Sequence, residues 1–334
     1  EVFFVGENGQ GKSNLLESLY LSAYGSSFRT RADAEIVTKG AQDYSIRSFF
    51  KDTLGLSNTV TVSFNENRKK ITKNGKKVID RKEMINTIPC VLFCHEDLDF
   101  AVGEPERRRF FIDQSLSMYD VLYIDILRRY KKILKSRNLI LKEKKYELLS
   151  VYNENLVKEG IEIQRKRMEM IYQFNRLFTK IYEEVSGIEN VVISYDRSWR
   201  DMDYEEIIAF LDEKQDMDKK LCTTMSGPHR DRIRFVKDKQ NFIPTASTGQ
   251  KRLISIVLRI SQAVYFTKIT GKKPVLLMDD VLLEMDPEKR RRIMNLLPEY
   301  DQLFCTFLPG EPYEKYKHSG TRVYLIEKGS WNEQ

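Results

Sequence analysis

Residues Gly6, Glu7, Asn8, Gly9, Gln10, Gly11, Lys12 and Ser13 follow the spacing Gly-x-x-x-x-Gly-Lys-Ser, the pattern of a phosphate-binding loop. Each residue type has a task in that chemistry. Glycines let successive amides turn inward onto phosphate oxygens, and a helix opening near Lys12 adds its positive end. Lys12 is expected to reach the β- and γ-phosphates and Ser13 to ligate Mg2+, with Asn14 completing the ATP-binding set. A second carboxylate source for the metal lies far along the chain, where Val275-Leu276-Leu277-Met278 runs into Asp279-Asp280. Asp279 is expected to face the magnesium. Asp280, pointing differently, is placed to polarise an attacking water. Such enzymes often carry glutamate at that second position, so the shorter arm of aspartate predicts slow hydrolysis.

These groups need elements to hold them. Val2-Phe3-Phe4-Val5 is a continuous apolar run, as expected of a buried central strand, and Leu15, Leu16, Leu19, Tyr20 and Ala23 share one helical face after it. The loop therefore sits at a strand-to-helix turn. Over 58–80 the pattern changes to period two, with Val60, Val62 and Phe64 alternating and a hairpin signal at Asn74-Gly75. This predicts an antiparallel meander with Lys69, Lys70, Lys73, Lys76 and Lys77 on its solvent side, read as a solvated hairpin in preference to a DNA-contacting one.

From 105 to 185 the chain reads as helical. Tyr123, Leu127, Tyr130 and Leu134 make one stripe, and Ile171, Phe174, Phe178, Ile181 and Val185 another, so two helices are expected to pack side by side. The stripes cover too few heptads for an extended coiled-coil arm. Short strands return after Ile188. A helix is expected over 251–267, a strand at 275–278, a helix capped by Asp286 with Pro287 in its first turn, and strands at 303–307 and 322–326.

Ser247-Thr248-Gly249-Gln250 opens one of these helices some thirty residues before the paired aspartates. It looks like the signature of ABC-type ATPases, in which a helix N-terminus receives the γ-phosphate of a nucleotide held by a second subunit. A plain helix cap is the competing reading for Ser247.

The chain as a whole resembles the RecF family of bacterial ATPases, within the ABC and SMC-like group. Four blocks carry the resemblance: Gly6 through Glu17; Gly103-Glu104-Pro105-Glu106-Arg107-Arg108-Arg109-Phe110-Phe111-Ile112-Asp113; Ser226-Gly227-Pro228-His229-Arg230-Asp231; and the Ser247 signature followed by Asp279-Asp280-Val281 and Glu284-Met285-Asp286. The second and third blocks are the more specific, since transporters and SMC heads lack them.

The resemblance implies an α/β fold: an ABC-ATPase-type P-loop head with mixed sheet and antiparallel meander over 1–103 and 187–334, and an inserted helical lobe over 104–186. It also implies a cytoplasmic ATP-binding protein that uses Mg2+, dimerises head to tail around two nucleotides with Ser247, Gly249 and Gln250 acting in trans, and hydrolyses ATP slowly. Its partners would be single-stranded or gapped DNA, RecR and RecO, in recombinational repair, replication and the SOS response. The family's first strands are absent, so adenine contacts are unassigned. His95-Glu96-Asp97 departs from the family's usual proline before Glu-Asp, and Thr306 follows where a switch histidine would be sought.

Arginines on consecutive helical positions fan out, so Arg107, Arg108 and Arg109 cannot all meet one ligand. For DNA contact the expected residues are Arg107, Arg128, Arg129, Lys131 and Lys132, while Arg290, Arg291 and Arg292 read as a solvated face. His229 and Arg230 read at least as readily as structural.

Bulk properties narrow the classes. The chain has 334 residues, 41% hydrophobic, enough for one large domain or two lobes, and a net charge of +7 that leans toward a polyanionic partner. No apolar run approaches the roughly 20 residues of a membrane span, and no signal peptide is evident, so the cytosol is the expected compartment. Cys90, Cys94, Cys222 and Cys305 are too scattered for a disulfide framework; Cys90, Cys94 and His95 lack the second ligand pair of a zinc site. The alternatives to a DNA-repair ATPase are an SMC-like head, which would need far longer helical arms, and a transport-coupling ABC ATPase, which would need a membrane partner.

Overall fold

In the computed structural model, residues 1–52, 54–85, 87–282 and 285–334 are described. Glu284 of the fourth sequence block lies outside them. Two compact units form: Glu1–Glu96 with Phe266–Gln334, and Asp97–Tyr265.

The first unit opens with strand β1 (Val2–Val5) and helix α1 (Lys12–Tyr24). Gly25, in the left-handed region at φ 64°, terminates α1 by donating its N–H to Leu21 O. Four strands then build an antiparallel sheet: β2 (Tyr44–Lys51), β3 (Ser57–Asn65), β4 (Arg68–Lys73) and β5 (Lys76–Lys77). Its apolar face is Val60, Val62 and Ile71, with Met84 covering them. Asn74 and Gly75 both have positive φ, 50° and 76°, as the hairpin signal requires.

Sequence patterning misses β2, because Ser48 points inward, sharing a hydrogen bond with Ser22 Oγ, while Phe49 points out at 71% exposure. Two of the lysines expected on the solvent side are also misplaced. Register sets Lys69 opposite Phe64 and Lys73 opposite Val60, on the inner face. There Lys69 pairs with Asp33, and Lys73 donates to Thr87 Oγ1 at 2.9 Å. Strand β6 (Cys90–Phe93) follows, with Cys90 and Cys94 buried at its ends.

The second unit holds helices α2 (Leu98–Val102), α3 (Pro105–Ser117), α4 (Val121–Glu143) and α5 (Leu149–Ser186), then β7 (Val191–Asp196), α6 (Tyr204–Glu213), α7 (Gln215–Leu221), β8 (Arg232–Lys237), β9 (Gln240–Asn241) and α8 (Thr248–Thr270), the last crossing the boundary between units. Strands β7, β8 and β9 form a three-stranded sheet. The α5 stripe is buried as its spacing predicts. Of the expected α4 stripe, Tyr123 and Tyr130 are buried, together with Ile126, Arg137, Ile140 and Leu141, while Leu127 and Leu134 are half-buried. An arginine occupies that apolar stripe because polar partners surround it. Arg137 donates from Nε to Asn153 Oδ1 (2.8 Å) and from Nη1 to Asp218 Oδ2 and Thr224 Oγ1 (both 2.7 Å).

A second buried network ties two of the sequence blocks together. Asp231 accepts from Gln164 Nε2 (2.8 Å), the Ser198 amide (2.8 Å) and the Tyr195 hydroxyl (2.5 Å). Arg167 grips Asp113 with two bonds of 2.9 Å and also reaches Asp231 at 3.4 Å. The arginine triplet spends itself nearby: Arg107 faces Asp99 at 3.4 Å, Arg108 donates to Gly103 O at 2.8 Å, and Arg109 donates to Asp231 O at 2.9 Å. His229 is structural in the same sense. Its Nε2 lies 3.0 Å from Thr224 O, which can only accept, so Nδ1 accepts from the Tyr130 hydroxyl at 2.7 Å. Burial pushes its pKa down to about 4.

The chain returns to the first unit with β10 (Val275–Met278), α9 (Pro287–Asn295), β11 (Gln302–Phe307), β12 (Arg322–Glu327) and β13 (Ser330–Glu333). The main sheet runs β13-β12-β1-β11-β10-β6, parallel except for β13. Strands paired on both sides and covered on both faces read as unbroken apolar runs, which is why β1 and β10 were legible. Asp286 caps α9 by accepting from the Lys289 amide at 2.9 Å. Arg290 departs from the solvated face expected for the second triplet: it is buried and lies 3.5 Å from Glu311, whereas Arg291 and Arg292 are exposed. By length and mean hydropathy α8 could cross a bilayer, but 72% of the apolar window is buried, as in a core helix.

Candidate nucleotide site

Parallel strands deliver their carboxyl ends to one edge of the main sheet, where open α/β sheets bind ligands. β1 ends at Val5 and hands the chain to the Gly-rich loop. Gly6 has no room for a side chain: a Cβ there would lie 2.4 Å from Ile326 O on β12. Gly11 adopts φ 106°, a left-handed backbone that admits glycine at no cost and turns the chain into α1.

Lys12 is 4% exposed, and its ammonium donates to Gly6 O (2.6 Å) and Glu7 O (3.1 Å) inside the curl of the loop. Carbonyl dipoles compensate a desolvated cation only in part, so this geometry favours an anion at the loop mouth. Ser13 Oγ donates to Asp279 Oδ1 at 2.9 Å, bringing together two predicted metal ligands 266 positions apart. Glu7, Asn8, Gly9 and Asn14 are exposed along the mouth. Gln10 turns aside, its Oε1 accepting from the Lys328 amide at 2.6 Å.

Asp280 stands at the end of β10 with φ 51°. Thr306, one residue from the end of β11, accepts from the Asp280 amide (2.9 Å) and donates to Asp280 Oδ1 (2.8 Å). The site has no histidine at this point; the threonine clasps the carboxylate. A cavity of about 290 Å³ is lined by Asn8, Gly9, Gly11, Lys12, Ser13, Asn14, Asp280 and Arg29. Arg29 is the residue that sequence patterning missed. It lies in an irregular segment, donates to Asn14 Oδ1 at 2.9 Å and sits 3.6 Å from Glu17, so it adds a second cation beside Lys12.

Burial, with help from neighbouring Asp280 and Glu96, raises the Asp279 pKa above its ordinary 3.8, against the lowering pull of Ser13 and Thr306. A carboxyl held above its unfolded value costs stability wherever it is ionised in both states; the cost fades as pH falls through the raised value and is gone below 3.8. Asp279→Asn is therefore expected to raise the thermal midpoint of the nucleotide-free protein at neutral pH, with the gain shrinking on acidification. The same variant is expected to lose at least about tenfold of any Mg2+-dependent gain in nucleotide affinity. A thermal-shift series over pH, with and without Mg2+, reads both.

The fit to a magnesium nucleotide rests on this donor set. Among the described residues no group of three or more His, Cys, Asp or Glu side chains could hold a metal. Magnesium suits that arrangement, since it commonly takes one or two protein oxygens and completes its shell with phosphates and waters.

Ser247, Gly249 and Gln250 belong to the other unit and head α8. Ser247 Oγ accepts from the Gln250 amide (3.3 Å), and Gln250 Oε1 accepts from the Ser247 amide (2.7 Å), a reciprocal cap. The cap reading thus holds for the single chain, and Ser247 and Gly249 are exposed. Of the arginines and lysines expected to touch DNA, Arg128 lies 3.7 Å from Asp125, and Arg129 makes two bonds to Glu159 at 2.7 and 2.9 Å. Lys131 and Lys132 are exposed.

Residues 2–331 match the family described as RecF/RecN/SMC N terminal domain. The DNA replication and repair protein RecF of Treponema pallidum is 50% identical over 335 residues, covering 100% of this chain and 95% of that protein. RecF of Leptospira interrogans serogroup Icterohaemorrhagiae serovar Lai is 31% identical, covering 98% of this chain and 92% of its own. Among solved structures, the recombination mediator protein RecF-ATP in the RecFOR pathway superposes with a TM-score of 0.87 at 27% identity, covering 100% of this chain and 91% of that one. The Smc head domain from Pyrococcus furiosus, at 16% identity, TM-score 0.56 and coverage of 100% and 89%, shares the fold.

Proposed function

The chain belongs to the RecF family of DNA replication and repair proteins, and from that premise we propose that it is an ATP-operated clamp whose two copies close on DNA around two shared nucleotides. The observation that carries the proposal is the bond between Ser13 and Asp279 beside the buried Lys12 ammonium. It supports a site in which Lys12 and Arg29 neutralise the phosphates and Ser13 with Asp279 holds Mg2+. Held there by Ser13 and Asp279, the ion would supply positive charge to offset that of the phosphates.

Asp280, clasped by Thr306, orients a water toward the γ-phosphate, and the short clasped carboxylate keeps hydrolysis slow. Exposed Ser247 and the amides at the head of α8 supply the second wall from a partner copy. Closure is stable only while the γ-phosphate spans both walls; its loss reopens the dimer. DNA is the macromolecular substrate, single-stranded or gapped, and RecR and RecO are the proposed protein partners, in line with the RecFOR pathway in which the superposed relative acts.

Sedimentation velocity with and without ATP and Mg2+ tests the clamp. Wild type is expected to pass from monomer to dimer on adding ATP. Ser247→Arg is expected to stay monomeric while still binding ATP, because Ser247 lies outside the cavity. Dimerisation indifferent to nucleotide, or to Ser247→Arg, would overturn the reading.

A further inference from the structure

The antiparallel sheet of the first unit has an outer face whose composition differs from every other surface described above. In an antiparallel pair, residues directly opposite share a face. Register therefore collects Ser45, Arg47, Phe49 and Lys51 of β2 with Ser57, Thr59, Thr61 and Ser63 of β3, then Lys70 and Thr72 of β4, Arg68 at its start, and Lys77 of β5. The opposite face is the buried one, carrying Val60, Val62, Phe64 and Ile71.

The outer face has five cations, a central row of hydroxyls and one aromatic, and no carboxylate. Asp43, just before β2, Asp52, past its end, and Glu66, in the β3–β4 turn, are the nearest acids along the chain. Arg47, Lys51, Arg68, Lys70 and Lys77 are all exposed, and among the described residues none is in an ion pair. This contrasts with Arg107, Arg128 and Arg129, whose charges already face carboxylates. A solvated sheet face ordinarily mixes signs, since like charges across strands repel. Here the repulsion is left uncompensated.

Geometry narrows the ligand. On β2 the outward row is Arg47, Phe49, Lys51: cation, aromatic, cation, at steps of about 6.7 Å. Phe49 is 71% exposed, with the Arg47 guanidinium 5.0 Å from its ring centre. The cations of β4 lie two strand spacings across, about 9.6 Å, and displaced along the sheet, Lys70 opposite Ser63 and Ser45 and Arg68 opposite Asn65, while Thr72 stands in line with Arg47. A line of cations that crosses the strip of hydroxyl donors diagonally, from Lys51 and Arg47 to Lys70 and Arg68, suits an extended phosphodiester chain, and an exposed ring beside it suits an unpaired base.

We propose that this outer face binds single-stranded DNA, with Arg47, Lys51, Arg68, Lys70 and Lys77 on its phosphates and Phe49 stacked on a base. The assignment rests on the DNA-binding reading above and adds a place for it. It also reverses the expectation that this lysine-rich hairpin is merely solvated, by moving Lys69 and Lys73 off the face and bringing Arg47 and Phe49 onto it.

The test is fluorescence anisotropy of a labelled oligo-dT with the full chain, ATP and Mg2+, titrated across salt. Arg68→Ala/Lys70→Ala is expected to weaken binding about tenfold or more and to make the log–log salt slope shallower by about 1.4, the value for two single-strand phosphate contacts. Phe49→Ala is expected to weaken binding about fivefold or more with the slope unchanged. Lys76→Ala, which removes an exposed charge opposite Lys73 on the other face, is expected to change neither. ATP affinity reports that each variant is folded. Affinity and slope unchanged in the double variant would overturn the assignment, and equal binding of a duplex with no effect of Phe49→Ala would overturn its single-strand character. Failure of the wild type to bind any DNA would instead sink the parent reading.

Discussion

Lys12→Ala is expected to lower ATP affinity by at least about 100-fold. Charge-assisted hydrogen bonds to phosphate are worth about 1.5–3 kcal/mol each, and an ammonium that reaches two phosphates loses both. Every 1.4 kcal/mol is about tenfold in affinity, which sets the bound. The nucleotide-free protein is not expected to suffer in proportion. In that state the Lys12 ammonium is desolvated and, among the described residues, held by the carbonyls of Gly6 and Glu7, so its removal also removes a burial cost. Calorimetric titration with ATP beside a thermal melt separates the two effects. A loss of affinity under tenfold would say that Lys12 does not face the phosphates, and a collapse of the melt would say that it is structural.

The largest effect on stability is expected at Arg137. It and Asp218 are 0% and 2% exposed at the side chain and 2.7 Å apart, so Arg137→Leu leaves a carboxylate buried without its cation. Breaking such a pair costs about 3–5 kcal/mol. The fold holds the pair with further bonds: Asn153 and Thr224 on the arginine, and the Met225 amide on Asp218 at 2.9 Å. Arg137→Leu/Asp218→Leu is expected to recover a substantial part of the loss, since the double variant strands no charge. Urea denaturation of the three proteins gives the coupling. A single variant within about 1 kcal/mol of wild type would show that the network is not what keeps α4 in place.

Much of the candidate nucleotide site was legible because its signals are local. Gly6 to Ser13 is one contiguous loop, and the apolar runs before it and before Asp279 mark fully buried strands without knowledge of their neighbours. The helix at Ser247 and the cap at Asp286 were legible for the same reason. What escaped is pairing at long range. Sequence gives the charge of Arg129, Lys69 or Arg290 but not that Glu159, Asp33 and Glu311 lie against them, 30, 36 and 21 positions away. Leu127 and Leu134 gave way to Ile126 and Arg137 because a helix face is chosen by what packs on it, and an arginine bonded to Asn153, Asp218 and Thr224 can be buried there. Arg29 escaped because the segment that carries it has no period; only the folded chain brings it to the mouth of the loop. Strand β2 escaped because an inward serine and an outward phenylalanine reverse the usual alternation, and the same reversal marks the outer face of that sheet.

The sharing of one nucleotide by two copies is measured most directly by complementation in mixed dimers. Lys12→Ala, which is expected to lack the nucleotide, and Ser247→Arg, which is expected to lack the second wall, should each stay monomeric with ATP on its own; the two are mixed and followed by sedimentation. The mixed pair contains one composite site with an intact Lys12 from one copy and an intact Ser247 from the other, so an ATP-dependent heterodimer is the expected result. A mixture that stays as inert as its two components would contradict the shared site.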